Sequence, residues 1–406
     1  MRKVLAALGA VAIFIAGPAH AQTPAQGDPA TGSGTAGASP PGGIPVGPLT
    51  VYPGIDLAHG YDDNLFLRPS NRASSSYTLA SPYVRAEMKT GPHKFDFGLR
   101  IYDTRYHSSP ADSFTDYLVF GNGDMVFSGR AGLRVHADYR HGHDPRGSTD
   151  RTVAPAPDEY DNTSVDATFR YGAPGARGRI EVNGNAAARR YTNNRTFTEV
   201  ADRNTTGLGG TFFWRVMPRT ELLAQMTQSY IDYTLASSTQ DSTETRYLFG
   251  VKWEATAATT GTAKFGTMKK DFDSPLRQNF SGTSWDIGVR WSPLTYSVFD
   301  FISSKQTSES TGVGDAIVGT NYSATWSHAW SSRLRTQVLA GFRTDAFTGV
   351  GVTRKDETST FGLKVGYDFR RWLRLGAEFT HTMRDSNDNN LDYKRNLLLF
   401  TVGATL

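Results

Sequence analysis

Cysteine is missing from all 406 residues. That absence removes disulfide frameworks, thiolate metal sites and cysteine nucleophiles together. Long hydrophobic runs are missing too. Beyond the first residues no window approaches the roughly 18 consecutive apolar residues of a spanning helix, and mean hydropathy is −0.42. No transmembrane helix is therefore expected. Charge of one sign does not dominate either, since 43 basic residues intermingle with 39 acidic ones for a formal net charge of +4. A nucleic-acid partner would call for a basic patch on a matching fold, so none is expected. There is also no second compositional regime and no alternation of helical with strand segments, which points to one large all-β unit.

What is present begins with Arg2 and Lys3, an apolar stretch from Val4 to Ile15, and the triplet Ala19-His20-Ala21 before Gln22. This is the pattern of a secretory signal peptide cleaved after Ala21, its apolar core too short for a membrane anchor. Removing Arg2 and Lys3 leaves +4 − 2 = +2 on the mature chain. Residues 22–50 are mostly Pro, Gly, Ala, Ser and Thr and cannot bury enough surface to order themselves. They read as a flexible Pro/Gly-rich periplasmic arm; Pro40-Pro41-Gly42-Gly43 fits a linker better than a peptide ligand.

Residues 51–406 carry period-two alternation in segments of about ten to fifteen residues, the mark of strands with one apolar and one polar face. Phe95, Phe97, Leu99 and Ile101 alternate with Asp96, Gly98, Arg100 and Tyr102. Leu133, Val135, Ala137 and Tyr139 interleave with Arg134, His136 and Asp138. Phe361, Leu363, Val365, Tyr367 and Phe369 make a third such row.

Connections between the segments are of two kinds. Tight ones fall near Gly91-Pro92, Ser128-Gly129, Ala173-Pro174-Gly175, Met217-Pro218, Ala257 to Thr260, Ser292-Pro293, Ser331-Ser332 and Arg370-Arg371. Loose ones fall at Pro69 to Ser74, His143 to Pro157, Tyr191 to Val200, Leu235 to Asp241, Ser274 to Asn279, Thr348 to Lys355 and Asp385 to Asn390. Short turns on one side and longer polar loops on the other suit a bacterial barrel, with the short ones periplasmic. The expected first strand is Val51 to Phe66 and the last Asp392 to Leu406. An even number returns the C-terminus to the side of the N-terminus.

Tryptophans Trp214, Trp253, Trp291, Trp330 and Trp372 lie beside the short turns on the apolar parity. Amphipathic rings are stabilised at membrane interfaces, so these five are expected to form an aromatic girdle. The final strand presents Leu398, Phe400, Val402, Ala404 and Leu406 on one face. Outer-membrane strands of this kind usually end in an aromatic, and Leu406 departs from that.

In hydrocarbon every backbone N–H and C=O must be paired within the protein, and with helices excluded only a closed sheet does so. The expected fold is all-β: a transmembrane antiparallel outer-membrane β-barrel of about 18 strands, within a range of 16–18, with short periplasmic turns and longer extracellular loops. Its place is the outer membrane of a Gram-negative bacterium. Low mean hydropathy then follows, because only alternate residues face lipid and the polar set lines a wide lumen.

Gly60-Tyr61-Asp62-Asp63-Asn64-Leu65-Phe66, followed by this alternation, resembles the Putative beta-barrel porin 2 family. The phrases Trp214-Arg215-Val216-Met217-Pro218-Arg219-Thr220 and Arg290-Trp291-Ser292-Pro293-Leu294-Thr295 are similar to that family's recurring strand ends. The resemblance implies a conduit associated with exopolysaccharide or capsule production, working with outer-membrane lipid, a hydrophilic solute or polysaccharide, and periplasmic export components.

On the lumen parity, Arg134, Arg170, Arg215, Lys252, Arg290, Arg335, Lys364 and Arg374 recur towards the short-turn ends. Asp96, Asp166, Glu181, Glu254, Asp286 and Glu378 share that face, so cross-strand pairing competes with a basic constriction favouring anionic solutes. Asp62-Asp63-Asn64 offers hard oxygens but lacks the spacing of a calcium loop, and fits a polar strand end better. His141-Gly142-His143-Asp144 lacks a third metal ligand. His107, His136 and His381 are candidate bases for a rim enzyme, though no nucleophile accompanies them. The expectation is therefore a channel, neither an enzyme nor a cofactor or metal protein. A barrel enzyme and a structural or adhesive barrel with a plugged lumen are the alternatives.

Overall fold

The computed structural model describes residues 42–406 apart from 152, 153, 257 and 311. The signal peptide and most of the arm thus lie outside the described residues. A short strand β1 (Ile44–Val46) is followed by the eighteen strands of a closed wall. These are β2 (Leu49–Asp62), β3 (Ser75–Thr90), β4 (His93–Tyr106), β5 (Phe114–Val126), β6 (Ala131–Asp144) and β7 (Asp158–Tyr171). Next come β8 (Gly178–Tyr191), β9 (Arg203–Met217), β10 (Thr220–Tyr233), β11 (Ser242–Thr256), β12 (Thr259–Phe272) and β13 (Phe280–Leu294). The last are β14 (Ser297–Glu309), β15 (Ala316–Ala329), β16 (Leu334–Thr348), β17 (Lys355–Arg370), β18 (Leu373–Ser386) and β19 (Tyr393–Thr405).

Each strand pairs antiparallel with its sequence neighbours, and β19 pairs with β2 from Leu397↔Asp62 to Thr405↔Gly54, which closes the ring. No edge is left in the wall, as an apolar solvent demands. The first wall strand starts at Leu49, and β1 turns back on it at Val46↔Leu49, just past the end of β19. Strands of 13–16 residues exceed the roughly nine to eleven that a tilted strand needs to cross a bilayer. Several residues per strand are therefore left to build a collar beyond the membrane.

Alternation sets the two faces. Phe97, Leu208, Phe249, Phe265 and Phe400 lie outside and exposed, while their neighbours point inward. The short turns are tight: Gly91 takes a φ of +56° ahead of Pro92, the glycine-first arrangement of a two-residue hairpin. Two long connections escaped the sequence reading, 107–113 and 310–315.

Buried side chains concentrate at the long-loop end, where Asp62, Asn64, Thr104, Thr198, Met268 and Lys270 are fully enclosed. The core of this protein is a collar and disc at one mouth; towards the short turns most inward side chains stay partly exposed.

Candidate functional site: the narrowed mouth and the inner wall

One loop extends across the mouth. Between β6 and β7, Arg146 donates to Asp112 in the β4–β5 connection at 2.7 Å and lies over the Phe66 ring at 4.3 Å. Gly147 has a φ of +81°, and a side chain there would run into the Phe66 carbonyl, so this close passage needs glycine. The loop then reaches the far side: Arg354, between β16 and β17, donates to Asp150 at 2.5 Å. Ten wall strands separate the β6–β7 and β16–β17 loops one way around the ring and eight the other, which makes them close to diametrically opposed. Arg151 returns towards the loop's own base, donating to Asp144 at 2.8 Å, Asp158 at 3.0 Å and the Tyr191 hydroxyl at 3.2 Å.

These staples hold their charge. The Asp112 hydrogen bond outweighs burial at Arg146, whose proton affinity is raised above the usual arginine value. Burial works against the Arg151 charge, but Tyr191, Asp144 and Asp158 more than restore it. Arg354 is raised in the same way against burial, by Asp356 and Asp150. Each contribution is therefore present in full through the neutral range and is lost as pH rises from the ordinary arginine value through the raised folded one.

A second element also folds inward. Pairing between β13 and β14 stops at Trp285↔Lys305, leaving Phe280 to Ser284 without a partner on β14. Beyond that split, Thr307, Ser308, Glu309 and then Asp315 to Val318 are all buried. Neighbouring residues of a strand point to opposite faces, so consecutive burial means that the β14–β15 tip is covered on both sides. Its cover is the inner wall of β10 to β12. Lys270 donates to Glu309 at 2.5 Å, Tyr233 donates its hydroxyl to Glu309 at 2.7 Å, and Thr307 donates to Glu244. Asp315 accepts from Arg277 at 2.7 Å, and Gly312 lies against the Asp150 backbone. The tip and the crossing loop thus meet.

Below this disc the inner wall is mostly small, polar or charged. The register puts Arg134, Arg170, Arg215, Lys252, Arg290, Arg335, Lys364 and Arg374 all on the inward face, with a carboxylate beside each. Arg134 stands opposite Asp124, Arg170 opposite Glu181, Arg215 and Lys252 on either side of Glu221. Arg290 donates to Asp300 at 2.7 Å, Arg335 pairs with Asp368, Arg374 joins Asp368 at 2.9 Å, and Lys364 lies 3.5 Å from Glu378. Basic and acidic side chains are thus interspersed along this belt. Trp214, Trp291, Trp330 and Trp372 are exposed at the short-turn ends, and Trp253 is half-buried there.

The candidate histidines are dispersed. His141 meets Asp161 at 2.7 Å, His143 meets Asp116 at 3.0 Å, and His136 bridges Asn122 and Asp138. His107 meets Thr78 and His381 meets Asn396. Among the described residues no three His, Cys, Asp or Glu side chains converge as a metal site.

The family model described as Putative beta-barrel porin 2 matches residues 39–406. The chain belongs to this family. As a porin 2 barrel it resides in the Gram-negative outer membrane. Its fold is similar to that of OpdK from Pseudomonas aeruginosa, solved with vanillate, at a TM-score of 0.50 and 11% identity over 88% of this chain and 99% of that one. A BenF-like porin from Pseudomonas fluorescens Pf-5 gives 0.48 and 10% over 88% and 99%. The FrpB iron transporter from Neisseria meningitidis (F5-1 variant) gives 0.46 and 10% over 87% and 82%. No curated protein matches the chain.

In this porin 2 barrel the Gly60 to Phe66 segment is a clasp between the first and last wall strands. Asp62, fully buried, accepts from Arg395 Nε at 3.1 Å and from its Nη2 at 2.5 Å. Asp63 accepts from the Asn396 backbone and side-chain amides, each at 2.6 Å. Asn64 donates to the carbonyls of Lys394 at 2.9 Å and Arg68 at 2.8 Å. Their oxygens are thus committed to holding the seam. The sequence singles out Asp62-Asp63-Asn64 but neither their partners on the last strand nor the inward tip. One signal pointed to the tip: Ala316-Ile317-Val318 breaks the alternation, as a strand covered on both faces does.

Proposed function

We propose that this protein is an outer-membrane channel for small hydrophilic solutes, open towards the periplasm and narrowed at its outer mouth by residues 146–151 and the β14–β15 tip. One observation carries this reading: the inward face from the short turns up to the disc is mostly small, polar or charged, while the mouth is narrowed by the β6–β7 loop and by the ends of β14 and β15 that fold inward from the wall. A wall that is lined by fixed, mixed charge accommodates water and dissolved polar solutes.

The paired belt favours weak ion selectivity over the anion preference that an unpaired basic ring would impose. The outward tryptophans at the short-turn ends serve as the periplasmic-side girdle in this reading. Export of exopolysaccharide, which the family resemblance implies, would require the crossing loop to swing clear. The test is conductance in planar bilayers. A channel gives steps that scale with salt concentration. A silent barrel would overturn the proposal and favour the structural or enzymatic alternative.

A further inference from the structure

Aromatic side chains are unevenly distributed on the inward face. From the short turns to mid-barrel, the inward positions of β2 to β5 hold Tyr52, Tyr83, Tyr102 and Phe120. Among the described residues, the same zone of the other fourteen strands holds one inward Phe, Tyr or Trp, Phe213, which is buried beneath Arg179 at 3.8 Å. The remaining positions there are mostly small, polar or charged.

Three of the four rings, Tyr52, Tyr83 and Phe120, recline along the wall. A side chain at Gly54 would collide with the far end of the Tyr83 ring, one at Gly98 with Phe120, and one at Gly43 with Tyr52. The glycines are thus the beds on which the rings lie, a cross-strand packing that covers glycine with an aromatic. Arg100 sits between Tyr83 and Tyr102, 4.9 Å and 5.3 Å from their centroids. All four rings remain half-buried and in reach of the lumen.

Beside the rings run paired polar groups. Arg100 pairs with Asp56 and donates to Ser81 at 2.9 Å. Arg85 donates to Asp96 at 2.7 Å and lies 2.9 Å from Glu87, and Asn122 donates to Asp96 at 3.4 Å. Donors and acceptors are both on offer, with the cations beside the rings already neutralised. The two arginines that flank the rings, Arg85 and Arg100, both carry carboxylate partners, which suits a neutral ligand better than a planar anion.

We propose that Tyr52, Tyr83, Tyr102 and Phe120 form a track for neutral saccharides along one side of the lumen. A sugar ring has an apolar C–H face and a rim of hydroxyls that each donate and accept. Reclining aromatics receive the face, and the flanking Arg–carboxylate pairs receive the rim. A linear oligosaccharide touches several rings at once, so affinity should rise with chain length. The proposal rests on the channel reading for access to the track, but binding can be measured without conduction.

The test is isothermal titration of the folded, detergent-solubilised barrel with maltose, maltohexaose and sodium benzoate. Maltohexaose is expected to bind at least about tenfold tighter than maltose. The Tyr83→Ala/Tyr102→Ala variant, checked for folding by heat-modifiable migration, should lose about tenfold in maltohexaose affinity. Tyr83→Phe keeps the ring face and should stay close to wild type. Binding without chain-length dependence, unchanged affinity in the double variant, or benzoate binding tighter than maltohexaose would each overturn the track. A barrel that binds maltohexaose as expected yet passes no current would overturn the channel reading and leave the track standing.

Discussion

Asp62 and Arg395, 333 residues apart in sequence, form a buried ion pair across the seam where β2 meets β19. The seam is the one junction of the wall that local hairpin formation cannot make, because its strands come from opposite ends of the chain. Putting a buried ion pair and the Asp63–Asn396 and Asn64–Lys394 bonds there fixes register at the point of closure.

Arg395→Met should leave the Asp62 carboxylate buried without its cation. The expected cost is about 3–5 kcal/mol, read as a lower urea midpoint for the folded barrel in detergent. Adding Asp62→Asn should recover part of it. A single variant as stable as wild type would show that the pair does not hold the seam.

Lys270 and Glu309 fasten the inward tip to the wall in the same manner. Lys270→Met should free the tip, and a cysteine placed at Val313 should then react faster with a membrane-impermeant thiol reagent. The chain has no cysteine of its own, so the background is nil. Equal labelling rates in both backgrounds would show that the tip is held by something else.

The crossing loop can be tested by proximity. Cysteines replacing Asp150 and Arg354 should be joined by a short bifunctional thiol reagent and change the gel mobility of the unfolded chain. A control pair at Asp150 and Arg105, which lies on a different strand end, should not be joined. Failure of the first pair would place the loop elsewhere.

Paired charge on the inner belt predicts a cation-to-anion permeability ratio within about twofold of one in a potassium chloride gradient. Glu221 sits beside Arg215, Arg179 and Lys252, and those cations hold its carboxyl in place within one cluster. Glu221→Gln should shift the reversal potential towards anions. Strong anion preference in the wild type would contradict the pairing.

The wall was legible in the sequence because alternation is local: Phe95 to Tyr102 announces both faces within eight residues. Turns such as Gly91-Pro92 were legible for the same reason, and the parity of the eight basic residues followed from the same alternation. Their partners were less so, since Arg335 finds Asp368 through a diagonal contact rather than a direct register pair. The mouth was hidden. Arg354 and Asp150 are 204 residues apart, and nothing near either one announces the other. The Asp62-Asp63-Asn64 cluster drew attention as a candidate ion site, yet its partners lie in the final strand, beyond the range of any local pattern.

The most direct test of a channel narrowed by its own loop compares single-channel conductance before and after residues 146–151 are deleted, with folding confirmed by heat-modifiable migration. Steps proportional to salt are expected in the wild type, and larger steps in the deletion. Identical conductance in the two, or no conductance in either, would contradict that expectation.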